Sequence, residues 1–229
     1  MSWNNVVNNS NHPWSLNSSN VDINEQNDIQ LAYELHNAIF NISKENFLEY
    51  VKLIASFVCL KNKKVLDIGT GNGNLLLALS SMYSIEPYGT DISKPLLDVA
   101  RRIMPHYAKN FKYGTLAGWQ VDFCLMNSVT QYLAPFELKE IIENVNAPNV
   151  LLMDVVDKSV EQRFISDQAD RLSMTVKERN EMYKNTPLYF YHKSYFLGLG
   201  YDVKFTEMPD FYPGSDIGGR YCVFIKKIM

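Results

Sequence analysis

Residues 65 to 73 read Val-Leu-Asp-Ile-Gly-Thr-Gly-Asn-Gly, with three glycines alternating directly after an apolar strand and before the apolar run Leu75–Leu79. Glycines at this spacing let the backbone turn sharply and approach a ligand with no Cβ in the way. The helix that follows offers unpaired N–H groups and the positive end of its dipole. A nicotinamide or flavin fingerprint, Gly-x-Gly-x-x-Gly, would place its third glycine at position 74, where the chain has Asn74. Asp67, two residues before Gly69, separates the two cases further. A buried carboxylate beside the turn repels a pyrophosphate and suits a ligand carrying an ammonium group. A second acid, Asp91, lies in Tyr-Gly-Thr-Asp-Ile-Ser at 88–93, at the end of the next strand. There a carboxylate can accept both hydroxyls of a ribose; a helix-capping role could be filled equally well by Ser93.

Candidates for proton transfer are few. His192, within Tyr189-Phe-Tyr-His192, could overlook the pocket as a general base, the alternative being a helix-surface histidine. Tyr132, just past the fourth strand, either lines the pocket or packs. His106 follows Pro105 at a helix end, His36 reads as an ordinary helix residue, and Asp154, Glu207 and Asp210 could face the site, the alternative being solvated carboxylates at strand ends. Asp154 with Asp157 is too small an acidic set for a magnesium site, so no metal is expected. Cys59, Cys124 and Cys222 are far apart and odd in number, which suits neither a disulfide framework nor zinc. Cys59 and Cys124 sit in apolar runs and are expected in the core.

These residues need elements to position them. The chain has 229 residues, 46% hydrophobic and 21% charged, enough for one large α/β domain. A net charge of −3 gives no support to nucleic-acid binding. The N-terminus lacks a signal-peptide pattern, and no run approaches the roughly 20 apolar residues of a membrane span, so a soluble cytoplasmic protein is expected. Residues 1–28, rich in Asn and Ser, are expected to form a flexible arm. Trp3, His12, Pro13 and Trp14 keep open the option that this arm folds over a ligand.

Apolar periodicity predicts a helix over Ile29–Ile42 and a second one capped by Ser43, burying Phe47, Val51, Ile54 and Val58. Strands are expected at Lys64–Ile68, Pro87–Thr90, Phe111–Tyr113, Val121–Met126 and Val150–Val156, with helices starting near Gly73, Ser93 and Pro135. Strands separated by single helices imply a parallel sheet covered on both faces. Tyr201–Thr206 and Tyr221–Lys226 have no room for a crossover helix between them and read as an antiparallel hairpin. The charged, helix-prone segment 157–190 is expected to lie as a substrate lid over the carboxyl ends of the strands.

From about residue 62 to 156, with the hairpin consistent, the sequence resembles the class I S-adenosylmethionine-dependent methyltransferases. The resemblance implies a Rossmann-like seven-stranded, mostly parallel sheet with helices on both faces and a C-terminal antiparallel hairpin, in a domain covering 29–229. By the same likeness Asp67, Gly69, Thr70, Gly71 and Asn72 hold the methionine part of the cofactor, Asp91 the ribose, and Ile92 flanks adenine. The fourth-strand motif, Asp122-Phe-Cys-Leu-Met-Asn-Ser-Val, is similar to that of members acting on small molecules and places Asn127, Ser128 and Val129 at the sulfonium end. After the third strand the family often has an acid for the adenine amine. Here the chain reads Gly114-Thr115-Leu116-Ala117, so backbone groups or Thr115 must serve, with Leu116 at the cofactor.

The likeness implies methylation of an O or N atom of a small polar molecule. The residues around Tyr212-Pro-Gly and Gly219-Arg220-Tyr221 resemble enzymes of sugar, surface-polysaccharide or secondary-metabolite pathways. Met126-Asn-Ser-Val is not the Asp/Asn-Pro-Pro-aromatic motif of amino-methylating DNA and RNA enzymes, and there is no Pro-Cys nucleophile for cytosine C5. The alternatives left open are an RNA or protein methyltransferase, a non-catalytic cofactor-binding subunit, and a nicotinamide oxidoreductase. Oligomeric state, a homodimer among the options, is not legible.

Overall fold

The structure, a computed structural model, describes residues 27–114, 118–185, 187–212 and 218–227. The expected N-terminal arm, with Trp3, His12, Pro13 and Trp14, therefore lies outside the described residues apart from its last two positions. The strands are β1 Lys64–Ile68, β2 Glu86–Asp91, β3 Phe111–Tyr113, β4 Phe123–Asn127, β5 Asn149–Val156, β6 Asp202–Glu207 and β7 Arg220–Lys226. They form one sheet in the order β3-β2-β1-β4-β5-β7-β6. The first five are parallel, and β7 runs antiparallel between β5 and the edge strand β6. This is the seven-stranded, mostly parallel sheet with a closing hairpin that the sequence implies.

The helices are α1 Asp28–Phe40, α2 Lys44–Ser56, α3 Asn74–Tyr83, α4 Lys94–Ile103, α5 Pro135–Asn144, α6 Glu161–Arg171, α7 Val176–Met182 and α8 Lys193–Leu197. Pleating sends alternate strand residues to opposite faces. Val65, Phe123, Leu125 and Leu151 join one core with α1 to α4; Leu66, Cys124, Met126 and Leu152 join the other with α5 and α8. Because both faces are covered, the central strands read as continuous apolar runs.

Local signals account for most helix starts. Ser43 caps α2 by accepting the Asn46 N–H at 3.2 Å. Pro135 opens α5, and the Glu137 carboxylate accepts the Ala134 N–H at 2.7 Å. Ser93 occupies the N-cap of α4 without a side-chain capping bond; Asp91 takes up the Ser93 N–H instead, at 2.7 Å.

Three expectations need correction. The connection from β3 to β4 holds no helix among its described residues, so strict strand–helix alternation fails there. α2 ends at Ser56, leaving Val58 beyond it, and its buried stripe is Phe47, Tyr50, Val51 and Ile54. Cys59, past the end of that helix, is exposed, whereas Cys124 and Cys222 are buried.

Candidate active site

The glycine turn joins β1 to α3, and the φ angles of Gly69, Gly71 and Gly73 are +79°, +55° and +81°. Only residues without a Cβ take that region freely. Gly69 and Thr70 donate N–H bonds to the Thr90 carbonyl at 2.8 and 3.0 Å, which ties the turn to β2. A Cβ on Gly69 would sit 2.3 Å from Val129 Cγ2. The turn is thus pressed against the segment that follows β4, and residues 69 and 129 meet as the sequence implies.

Both acids flank this turn. The Asp91 carboxylate accepts the N–H groups of Gly71 at 2.8 Å and Ser93 at 2.7 Å. Burial raises its pKa, against the pull of those two N–H groups. Asp67 is 2% exposed, and burial, with the charge of Asp91 adding to it, pushes its pKa up to about 8. Its Oδ1 and Asn72 Nδ2 are buried without a hydrogen-bond partner, and the buried Thr70 hydroxyl lies close enough to Asp67 to oppose the rise in its pKa. Buried polar groups are normally satisfied, so the unpartnered atoms make this turn a candidate ligand site. Ile92, half-buried, follows Asp91, while Thr115 and Leu116 lie outside the described residues.

A polar network sits at the carboxyl ends of β4 and β5. Asp154 occupies a bulge: between the pairs Leu152–Val223 and Val155–Tyr221, two β5 residues oppose one on β7. Its φ is +60° and that of Ser128 is +54°. Such strain concentrates at functional sites, and a bulge re-aims a side chain. The Asp154 carboxylate accepts from Ser128 Oγ at 2.8 Å and from Arg220 Nη1. Ser128 Oγ also lies 3.0 Å from the Tyr212 hydroxyl. The Tyr212 ring stacks on Tyr50 at 4.9 Å, and the Tyr50 hydroxyl donates to Asn127 Oδ1. Beside Tyr50 lies His36, fully buried, stacked on Phe40 at 4.5 Å and next to Phe47 at 4.9 Å. Burial holds its pKa at about 3, so it is neutral, and Nδ1 faces the Asn74 amide at 3.4 Å.

The structure thus brings together Asp67, Gly69, Thr70, Gly71, Asn72, Asp91, Asn127, Ser128 and Val129. Tyr132 follows on a 3-10 turn, Thr130–Tyr132, and burial raises the pKa of its hydroxyl. His192 is the N-cap residue of α8, its side chain 59% exposed, with Nδ1 3.6 Å from Asp157, the residue directly after the carboxyl end of β5. Burial decides two readings. Asp154 is 3% exposed and paired, which removes the solvated alternative, and His36, read as an ordinary helix residue, is a core residue. Tyr50 was findable, since it falls three residues after Phe47 on a predicted apolar stripe; the Asp154–Arg220 pair depends on strand register, which no local signal reveals.

Among the described residues no group of three or more His, Cys, Asp or Glu could hold a metal ion, and no helix is long and apolar enough to cross a membrane. The pocket lined by Lys64, Gln120, Asp122 and Asn146 lies at the amino ends of β1 and β4, opposite the glycine turn.

No protein-family model matches the sequence, and no curated protein matches it. Solved structures do. The chain is similar to magnesium protoporphyrin IX methyltransferase from Synechocystis with bound SAH, at TM-score 0.58 and 14% identity, covering 97% of this chain and 95% of that one. It is similar to geranyl diphosphate C-methyltransferase from Streptomyces coelicolor, solved with Mg2+ and S-adenosyl-L-homocysteine, at TM-score 0.56 and 8% identity over 90% and 84% of the two chains. A putative sarcosine dimethylglycine methyltransferase from Galdieria sulphuraria matches at TM-score 0.52 and 13% identity over 80% and 84%. The chain therefore has the class I methyltransferase fold.

Proposed function

We propose that this chain is an S-adenosylmethionine-dependent methyltransferase acting on an O or N atom of a small polar molecule. One observation carries the reading: a carboxylate stands on each side of the glycine turn, Asp67 before it and Asp91 accepting its Gly71 N–H. A dinucleotide would bring its pyrophosphate to the turn beside Asp67, whereas Asp91 would meet a ribose in either case. A nucleoside carrying an amino acid fits them, with its ammonium group at Asp67 and its ribose hydroxyls at Asp91. The unpartnered atoms of Asp67 and Asn72, with the Thr70 hydroxyl, supply the polar surface for the amino-acid end. Structural neighbours crystallised with S-adenosylhomocysteine agree with that ligand class.

When bound, the cofactor supplies a methyl carbon already activated by a sulfonium. The chain's own work is then alignment, which can be worth roughly 7–11 kcal/mol without a covalent intermediate. Asn127, Ser128 and Val129 border the methionine end. Tyr132 is the side chain offered to orient an acceptor, with the buried Tyr50 and Tyr212 holding Asn127 and Ser128 in place behind it. His192, exposed and paired with Asp157, fits a rim or capping role better than that of a general base. Segment 157–190, with α6 and α7, serves as the lid. Three free cysteines fit a reducing compartment.

The test is calorimetry of the purified chain with S-adenosylhomocysteine and with NAD, then incubation with S-adenosylmethionine and a metabolite extract. Binding of the first ligand and not the second, with mass spectrometry revealing a product one methylene heavier, is the expected result. Binding of NAD in its place overturns the assignment, and cofactor binding without turnover on any extract leaves a cofactor-binding subunit.

A further inference from the structure

The segment between β5 and α8 carries a cation that methyl transfer does not use. Arg179, on α7, is 4% exposed. Its Nε donates to Gln168 Oε1 at 2.7 Å and its Nη1 to Asn180 Oδ1 at 3.1 Å, both neutral acceptors. The guanidinium lies over the Tyr183 ring, 4.5 Å from its centre. Nη2 is buried with no hydrogen-bond partner. Glu161, whose charge reaches Arg179, is itself held by Lys158 at 2.7 Å. A guanidinium does not shed its proton in a protein, and a buried charge is costly unless a counter-charge meets it.

The position of Arg179 says where that counter-charge belongs. Tyr132 is one of its electrostatic neighbours, and Tyr132 ends the turn that directly follows Asn127, Ser128 and Val129. Tyr132 in turn feels Asp154 and Arg220. Arg220 also has a buried Nε without a partner. Geometry links the two guanidinium groups through α6: Arg220 lies over the Phe164 ring at 5.2 Å, and Gln168, one turn further on, accepts from Arg179 Nε at 2.7 Å.

We propose that the methyl acceptor is an anion, and that a carboxylate or phosphate oxygen on it accepts from Nη2 of Arg179 beside Tyr132. The planar fork of arginine matches either group. Calling that anion the acceptor rests on the methyltransferase reading; the oxyanion site itself does not. A purely structural Arg179, clamping α6 to α7 through Gln168 and Tyr183, would confer no dependence on anions.

The experiment is thermal unfolding of the full chain titrated with inorganic phosphate and, separately, acetate, at ionic strength held constant with chloride. Wild type, Arg179→Gln and Arg179→Lys are compared, with S-adenosylhomocysteine as an independent ligand. Expected are a saturable rise in the wild-type Tm, its loss in Arg179→Gln, and an anion affinity about tenfold weaker in Arg179→Lys, about 1.4 kcal/mol. The cofactor-induced shift should be the same in all three. The stronger anion tells a phosphate-bearing acceptor from a carboxylate-bearing one. Absence of a saturable wild-type shift, or an equal shift in Arg179→Gln, overturns the proposal. If Arg179→Gln does not fold, unchanged anion affinity in Arg179→Lys overturns it instead. An anion shift without any cofactor shift keeps the oxyanion site and removes the methyltransferase reading.

Discussion

Asp67→Asn separates what the buried acid does for binding from what it costs the fold. In the folded protein burial pushes the carboxyl pKa from 3.8 to about 8. Between those values the folded protein holds a proton that the unfolded chain has released. The contribution of Asp67 is therefore most favourable below pH 3.8, is lost progressively as pH rises, and levels off above about pH 8. At pH 7 the interval is roughly three pH units, or about 4 kcal/mol at 1.36 kcal/mol per unit. The asparagine variant lacks this slope. Its stability advantage should be near zero at pH 4 and grow to about 4 kcal/mol at pH 7, roughly 8–16 °C in Tm for a chain of this size.

The comparison must be a difference curve, because His36 contributes the opposite slope. Its pKa, held at about 3 against 6.5, makes its contribution present above pH 6.5 and lost as pH falls. Binding should move the other way from stability. To meet an ammonium group Asp67 must be charged, so wild type should release close to one proton on binding S-adenosylhomocysteine at pH 7. Calorimetry in buffers of different ionisation enthalpy reads this directly. The variant should release none and bind about a hundredfold more weakly, as when a buried pair loses one partner. A difference curve flat from pH 4 to pH 9, or unchanged affinity, refutes the reasoning.

Asp91→Ala removes the acceptor of two N–H groups, at 2.8 and 2.7 Å. It should cost about 1–3 kcal/mol by urea unfolding and at least tenfold in S-adenosylhomocysteine affinity; unchanged affinity by calorimetry would take Asp91 out of the site. Gly69→Ala forces a Cβ to 2.3 Å from Val129 Cγ2 at a φ of +79°. Backbone strain of about 1–2 kcal/mol and overpacking of about 1–3 kcal/mol add up, so a measured loss under about 1 kcal/mol would show that the turn relaxes freely. His36→Phe removes a histidine that must charge during acid unfolding, so the midpoint of that transition should move to lower pH; an unmoved midpoint contradicts the burial of His36.

The proximity of the proposed cofactor-holding residues was legible because one short stretch of chain carries them. Asp67, the three glycines and Asn72 sit on a single strand–turn–helix unit, and Asp91 ends the next strand, so spacing places them together while the resemblance supplies their proposed roles. The proposed acceptor half draws on α1, α2, the end of β4, the β5 bulge, the insertion and β7. The choice between a site-facing and a solvated Asp154 stayed open because nothing local announces a bulge, and because its partner Arg220 arrives through antiparallel register 66 residues away. His36 read as ordinary, yet Ala32, His36 and Phe40 form an i, i+4 row beside the Leu31–Leu35 stripe. Ala32 and His36 of that row are buried, with Phe40 partly so, because α2 and α3 both cover α1. Arg179 stands in Val-Lys-Glu-Arg-Asn, a pattern that fits a solvated helix, and only the pairing of α6 with α7 encloses it. Where chemistry depends on side chains brought together across several elements, residue type is the surviving signal. An arginine, histidine or aspartate read as surface by composition and then found buried is therefore the place to look for the substrate.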